Sequence, residues 1–416
     1  MAQRILFREN IPVRVTDATT RDAIIRAAQT LRKDLRPTIP PLITEGDEVI
    51  FQNFVGSLRL PDGSIAEVTP KIGGEDWANA VVQLLQPDTR ITIAGSQRSQ
   101  PSASKNALTT ALALEYARRL ESALRSEGPL LAYERQRLST RRLRGHLNVT
   151  RWVRTTVLDP ATFPVTRDEL TSINDFTRGL SLVSGLLGRA SVGADLALRL
   201  RRLQTAILPG HPPPSYVNPA ISQRPMPTQW AKYRPAWDIA AALLRSRSVV
   251  GDPGRAIGFE VGIEPWRLLE NLLKRTLRQF ELEPGEYKFA RKSKHPLLWR
   301  DGTQALGVEP DGILYHHGRP AATFECKYTP FSKTPKERHV HQALTAAAAL
   351  GSPLAVLIYP EDVAPIRYTV HSFNGKPIDL FVIGMSMYSY KRGQGDSQRA
   401  NLVRNIMMIS QKEPPS

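Results

Sequence analysis

The last third of the chain changes its hydrophobic period in a fixed order, and that order restricts the fold more than any other feature. Helical spacing over Trp266-Arg-Leu-Leu-Glu-Asn-Leu-Leu-Lys-Arg-Thr-Leu277 puts Leu268, Leu269, Leu272 and Leu273 on one apolar face. A strand is predicted at Glu286 to Arg291. A strand pair follows at Val308 to Tyr315 and Ala321 to Tyr328, joined by the turn His316-His317-Gly318-Arg319. An Ala-rich helix at Val340 to Leu350 and an apolar strand at Leu354 to Tyr359 complete the order α-β-β-β-α-β. Asp379 to Met387 adds one more strand, and the polar segment after Ser389 is expected to be loosely held.

The rest of the chain divides by composition. Residues 1–104 read as β-rich, because short apolar runs such as Val49-Ile50-Phe51 and Ile65-Ala66-Glu67-Val68 are split by turn chemistry at Glu45-Gly46-Asp47 and Pro61-Asp62-Gly63. One helix is expected among them, from Asp17 to Leu35, and the polar tract Ala94 to Ser104 reads as a linker. Residues 105–250 are helical, with Leu108, Leu112, Leu120 and Leu124 repeating from Asn106 onward and further helices at Thr171 to Leu187, Ala194 to Leu208 and Trp237 to Leu244. Seven prolines between Pro209 and Pro227 require extended chain there. With residues 251–416 as the third part, the expectation is an α+β multidomain protein, in keeping with a length of 416 residues.

Lysine and arginine total 56 against 39 acidic residues, a net charge of +17 that attracts polyanions and makes nucleic acid the first expected partner. The single cysteine, Cys326, excludes an intrachain disulfide and points to the cytoplasm. No signal-like apolar run opens the chain and none is long enough to span a bilayer, so neither secretion nor membrane insertion is expected.

Chemistry concentrates on the predicted strand pair. Asp311, within Glu309-Pro310-Asp311-Gly312, and Glu325, within Phe324-Glu325-Cys326-Lys327, are carboxylates on neighbouring strands. Strand alternation sends Glu325 and Lys327 to one face and Phe324, Cys326 and Tyr328 to the other. Hard divalent cations take such oxygens, and Mg²⁺ needs only one or two of them. Lys327 is placed to orient the attacking water and to offset transition-state charge. Glu270, on the apolar helix face, is costly to bury without a metal or a cation, and Gln342 can hydrogen-bond into the same patch. The competing reading is an exposed Glu325–Lys327 ion pair of little consequence.

This arrangement resembles the PD-(D/E)xK nuclease superfamily, with its αβββαβ core. The resemblance implies catalytic roles for Asp311, Glu325, Lys327, Glu270 and Gln342, and metal ligation by Asp311, Glu325 and Glu270. Beyond that core, Arg142-Leu-Arg-Gly-His-Leu-Asn-Val149, Asp168-Glu-Leu-Thr171, Asn174, Val55-Gly56 and Glu67-Val68-Thr69-Pro70-Lys71-Ile72 resemble the McrC family of modification-dependent restriction systems. That family usually carries aspartate where Glu325 stands and Phe where Leu269 stands. The resemblance implies a Mg²⁺-dependent endonuclease subunit that cleaves double-stranded DNA, and it leaves open whether a methylated base is sensed. It further implies a McrB-type AAA+ GTPase hexamer as partner, whose hydrolysis this subunit stimulates. No G-x-x-x-x-G-K-[ST] loop is present, so the nucleotide is expected on another chain. The alternatives are an adaptor and GTPase activator with a weak or unused nuclease site, and a stand-alone repair or resolvase nuclease.

Between Arg135 and Arg154 stand seven arginines (Arg135, Arg137, Arg141, Arg142, Arg144, Arg151 and Arg154) and no acid. They suit a DNA backbone, an arginine finger toward the partner's GTP, or simply a solvated face. His316, His317, His339 and His341 lack the thiolate company of structural zinc, and Cys326 reads as a buried small hydrophobe rather than a nucleophile.

Overall fold

The computed structural model describes residues 4–35, 40–60, 64–73, 77–85, 91–94, 107–190, 192–246, 260–282, 287–290, 292–370, 378–391 and 395–412. The expected linker at 95–104 lies outside them. Two compact units form, residues 1–90 with 261–416, and residues 91–260.

In the first unit the N-terminal residues build two small sheets around the helix Ala18–Leu35. Asp17 starts that helix, its carboxylate accepting from the Thr20 amide at 2.9 Å. Strand Arg4–Arg8 runs parallel to Ile65–Thr69, which pairs antiparallel with Val55–Arg59. Strands Val13–Arg14, Glu48–Phe51 and Leu42–Glu45 form the other sheet. Phe7, Ile24, Val49, Phe51, Phe54, Leu58 and Val68 are the core, with Phe7 and Phe51 packed edge to face at 4.9 Å. The parallel pairing joins residues about sixty positions apart, which local periodicity does not reveal.

The C-terminal residues form a six-stranded sheet in the order Tyr287–Ala290, Gly312–His316, Arg319–Cys326, Leu354–Tyr359, Asp379–Gly384, Ile366–Thr369. The three parallel strands, Arg319–Cys326, Leu354–Tyr359 and Asp379–Gly384, run alongside one another, and antiparallel neighbours close both edges. Leu354–Tyr359 is buried along its whole length, as a strand covered on both faces must be. Helix Pro265–Arg278 covers one face. A Cβ at Gly312 would lie 2.9 Å from Leu277, and Gly312 pairs with Phe324, which pairs with Val356, so this row looks toward that helix. Helix Glu337–Leu350 covers the other face, with Ala343 and Ala347 packed on Ala355, Leu357 and Tyr359. Alternation then assigns Glu325, paired with Leu357, to the side of the Ala-rich helix.

Three local readings change. The strand expected from Val308 to Tyr315 is interrupted at Glu309-Pro310, because Pro310 has no amide to donate. Upstream, His295–Arg300 and Thr303–Val308 make an antiparallel ribbon of their own, while Asp311 resumes the ladder through its amide to Phe324 O at 3.0 Å. The hairpin turn is only His317-Gly318, at φ 49° and 77°, the double positive φ of a tight turn between twisted strands. The segment after Ser389, expected to be loose, contains the helix Asp396–Lys412, whose Ala400, Val403, Ile406 and Met407 are buried. Four apolar positions one turn apart suffice for docking, although polar residues between them hide the stripe. Ile406→Ala should therefore cost about 2 to 5 kcal/mol, read by chemical denaturation of the full chain.

In the second unit, helices Ala107–Glu127, Asp175–Arg189, Ala194–Ala206 and Arg234–Ser246 enclose Tyr116, Leu120, Leu180, Val183, Leu187 and Leu203, with Tyr116 donating to Leu180 O at 2.7 Å. The helix expected from Thr171 starts at Asp175. Thr171 ends a strand, and Asn174 caps the helix by accepting from the Thr177 amide at 3.0 Å while Thr177 reciprocates. Strand Ala132–Thr140 pairs with Phe163–Thr171, which also holds the short strand His146–Leu147. Gly145 has φ 96°, and a Cβ there would stand 2.6 Å from Thr166 O. Asn148 caps helix Val149–Thr155. Much of the Arg142 to Val149 pattern is thus turn and cap chemistry. The proline-rich segment runs extended but includes a 3₁₀ turn, Pro219–Gln223, that buries Ile221. No helix among the described residues is long and apolar enough to cross a membrane.

Candidate active site

The sheet and its two flanking helices bring all five C-terminal candidates into one neighbourhood through two cation-centred groups. In the first, Lys327, one residue past the Arg319–Cys326 strand, donates to Glu325 Oε1 at 2.7 Å and to Gln342 Oε1 at 2.6 Å. Gln342 in turn donates through Nε2 to Glu325 Oε1. Gln342 reaches the site because the Ala-rich helix starts beside the strand end, and its small Ala343 and Ala347 let it approach closely.

The second group has a centre that the sequence reading missed. Lys292, on the bend between strand Tyr287–Ala290 and the ribbon, donates to Asp311 Oδ1 at 2.8 Å and to Glu270 Oε1 at 3.2 Å. The other Asp311 oxygen accepts from the Cys326 amide at 2.8 Å. Lys274, one turn on from Glu270, stands 3.7 Å from its second oxygen. Nothing in the sequence Arg291-Lys292-Ser293-Lys294 distinguishes Lys292, whose neighbours Ser293 and Lys294 are exposed.

Asp311, Glu325 and Glu270 are all buried, and burial sets their electrostatics. Desolvation, then the Asp311 charge, pushes the Glu325 carboxyl up to about 7, with Lys327 opposing. Glu270 rises for the same two reasons. Desolvation would lower the Lys292 ammonium, but Asp311 and Glu270 reverse this and hold it above the ordinary lysine range. Burial raises the Cys326 thiol well above its usual value, and the three carboxylates add to the effect, which disfavours a thiolate.

One buried oxygen, Glu325 Oε2, has no hydrogen-bond partner. A carboxylate oxygen left so beside two other buried carboxyls is a donor set that suits a hard divalent cation. Among the described residues, no three Asp, Glu, His or Cys side chains are drawn together as a ready metal cage. The carboxyls are held apart, each turned to a lysine.

Beside Lys327 opens a cleft of about 430 Å³ lined by Trp266, Lys327, Tyr328, Arg338, His339 and Gln342 among others. Tyr328 ties this end of the sheet to the N-terminal sheets: its hydroxyl donates to Glu9 Oε2 at 2.8 Å and meets that of Tyr388 at 2.6 Å. Glu9 is fully buried, accepts from the Asn53 amide at 3.1 Å, and has Lys71 Nζ at 3.5 Å. The second unit holds the arginine segment. Arg135, Arg137, Arg141, Arg142, Arg144, Arg151 and Arg154 are all exposed, and none joins an ion pair among the described residues.

A mixed α/β chain of several sheets, with paired carboxylates and lysines at one end of a helix-covered sheet, is the class that this architecture defines. Residues 49–360 match the McrBC 5-methylcytosine restriction system component, and the chain belongs to that family. Its fold is similar to a chain in the refined half-complex from the tetradecameric assembly of Thermococcus gammatolerans McrB AAA+ hexamers with bound McrC. That match has a TM-score of 0.67 at 14% identity and covers 97% of this chain and 100% of the other. The Thermococcus gammatolerans McrBC complex matches at a TM-score of 0.48 and 16% identity, over 68% of this chain and 90% of that one. No curated protein matches the sequence.

Proposed function

We propose that the chain is the Mg²⁺-dependent DNA-cleaving subunit of a McrBC-type restriction complex, working with a McrB-type AAA+ GTPase hexamer. Family membership and the likeness to a chain from an assembly of McrB hexamers with bound McrC support the partner. The observation that carries the nuclease reading is the buried, unpartnered Glu325 Oε2 within a carboxylate group that includes Asp311 and Glu270 and has Lys327 beside it. The helix and strand order around it, α-β-β-β-α-β once the ribbon is set aside, supports the PD-(D/E)xK reading.

Asp311, Glu325 and Glu270 would hold the ion. When bound, Mg²⁺ supplies charge neutralisation at the phosphoryl oxygens and activation of the attacking water. The chain's own groups do the rest. Lys327 has three donors, of which Glu325 and Gln342 take two, so the third is left for a phosphoryl oxygen entering the cleft. Gln342 fixes the ammonium's position, and Arg338 adds positive charge to the cleft wall.

Asp311→Asn tests this reading. It keeps the side chain's size and an acceptor for the Cys326 amide while removing a charge, and plasmid cleavage in Mg²⁺ should be abolished with folding and partner assembly intact. Cleavage at the wild-type rate would remove Asp311 from the site. A second reading, an adaptor and GTPase activator with a weak nuclease, is favoured by the lysines that already neutralise the carboxyls. It predicts no plasmid cleavage by the wild-type complex and normal stimulation of GTP turnover by Asp311→Asn.

A further inference from the structure

Lys292 bridges two of the buried carboxyls, although no motif claims it. Its ammonium stands between Asp311 and Glu270, 2.8 and 3.2 Å from their oxygens, and both acceptors are buried. Those oxygens belong to two of the three carboxyls that the proposed function assigns to the metal. The lysine stem starts on a bend outside the sheet, and the side chain stays about one-third exposed, at 35%. It therefore enters the group from the solvent side and can leave the same way, without repacking the sheet. Glu325, by contrast, keeps Lys327 on its Oε1 while its Oε2 has no partner.

We propose that Lys292 is a tethered counter-cation that holds the Asp311–Glu270 position in the resting subunit and exchanges out when a divalent ion binds. This rests on the metal reading above. The physical logic is competition for oxygens. Two buried carboxylates facing each other repel, and one positive charge between them offsets that repulsion at a cost in metal affinity, since an incoming ion must first displace the ammonium. The resting group is thereby neutral enough to stay folded, and weak enough for metal that occupancy depends on the free ion concentration. The displaced ammonium faces solvent at the start of the ribbon, next to the exposed Lys294. The lysines account for why the carboxyls are not drawn together as a metal cage: Asp311 and Glu270 share Lys292, and Glu325 is turned to Lys327.

The test uses the full-length metal-free chain and Mn²⁺ as probe, with binding read by calorimetry and melting temperature read with and without the ion. Lys292→Met and Lys292→Gln should lower the melting temperature of the metal-free chain, because Asp311 and Glu270 lose their shared cation. Both should bind Mn²⁺ about tenfold or more tightly than wild type and recover the lost melting temperature when it binds. Lys292→Arg, which restores a cation, should return Mn²⁺ affinity toward the wild-type value. Affinity unchanged or weakened in both neutral variants would overturn the proposal, as would an Arg variant that tightens binding as much as Met does. Asp311→Asn is measured alongside and should lose Mn²⁺ binding. If it binds as well as wild type, the metal reading itself fails, an outcome distinct from a failure of the Lys292 exchange.

Discussion

Lys327→Ala is expected to lower plasmid cleavage by about 10² to 10³ while the partner GTPase turns over at its wild-type rate, the loss typical of removing one preorganised transition-state donor. The geometry separates this effect from misfolding. Lys327 lies past the end of its strand, and its amide still donates to Ile358 O at 2.8 Å whatever the side chain, so the backbone path survives truncation. Gln342 keeps its bond to Glu325, so the remaining carboxyl retains a partner on Oε1. What disappears is the one donor that Glu325 and Gln342 leave for substrate, and the positive charge that opposes the upward shift of Glu325. If the arginine segment serves the partner, partner stimulation should not fall, because that segment lies in the other compact unit. GTP turnover and plasmid cleavage are measured on one reconstituted sample. Retained cleavage would mean that Lys327 is not part of the chemistry. Loss of both activities in a folded variant would mean that the C-terminal sheet also serves the partner.

The parts of this site legible in the sequence are those fixed by short-range rules. Leu354 to Tyr359 is a strand because six consecutive apolar residues ending before Pro360 leave little else. Glu325 and Lys327 could be placed on one face of their own predicted strand, Ala321 to Tyr328, by alternation alone, and Glu270 attracted notice because a carboxylate among leucines needs a reason. Lys292 could not be found that way, since its role depends on a bend that brings residues 292, 270 and 311 together. The same holds for Glu9, whose partners Asn53, Lys71 and Tyr328 lie 44, 62 and 319 positions away. A glutamate in the run Phe7-Arg8-Glu9-Asn10 looks like any surface acid until the parallel strand pairing is known. Tertiary distance, not ambiguous chemistry, hid these groups. The final helix was missed for a different reason: its apolar stripe is narrow, and its overall composition is that of a polar tail.

The triple substitution Arg141→Gln, Arg142→Gln and Arg144→Gln carries the other large expected effect, a loss of partner GTP hydrolysis of about 10³ to 10⁵ if one of these guanidiniums completes the partner's nucleotide site. Three readings were open for the segment, and its surroundings favour this one. All seven arginines are exposed, but so are Leu143, Val149, Val153, Val157 and Leu158, the last at 89%, within the single connection between paired strands Ala132–Thr140 and Phe163–Thr171. A face meant only for solvent has no use for five bare aliphatics, and a phosphate backbone offers them nothing to pack against. A protein surface offers both a hydrophobic seat and anionic nucleotide. Assembly is therefore followed by gel filtration together with GTP turnover, and Val157→Ser with Leu158→Ser serves as the docking control. If the Gln variant assembles yet fails to stimulate, the arginines act at the nucleotide. If DNA binding weakens instead, with the slope of log affinity against log salt falling by about 0.9 for each lost phosphate contact, the segment grips duplex and the partner reading is wrong.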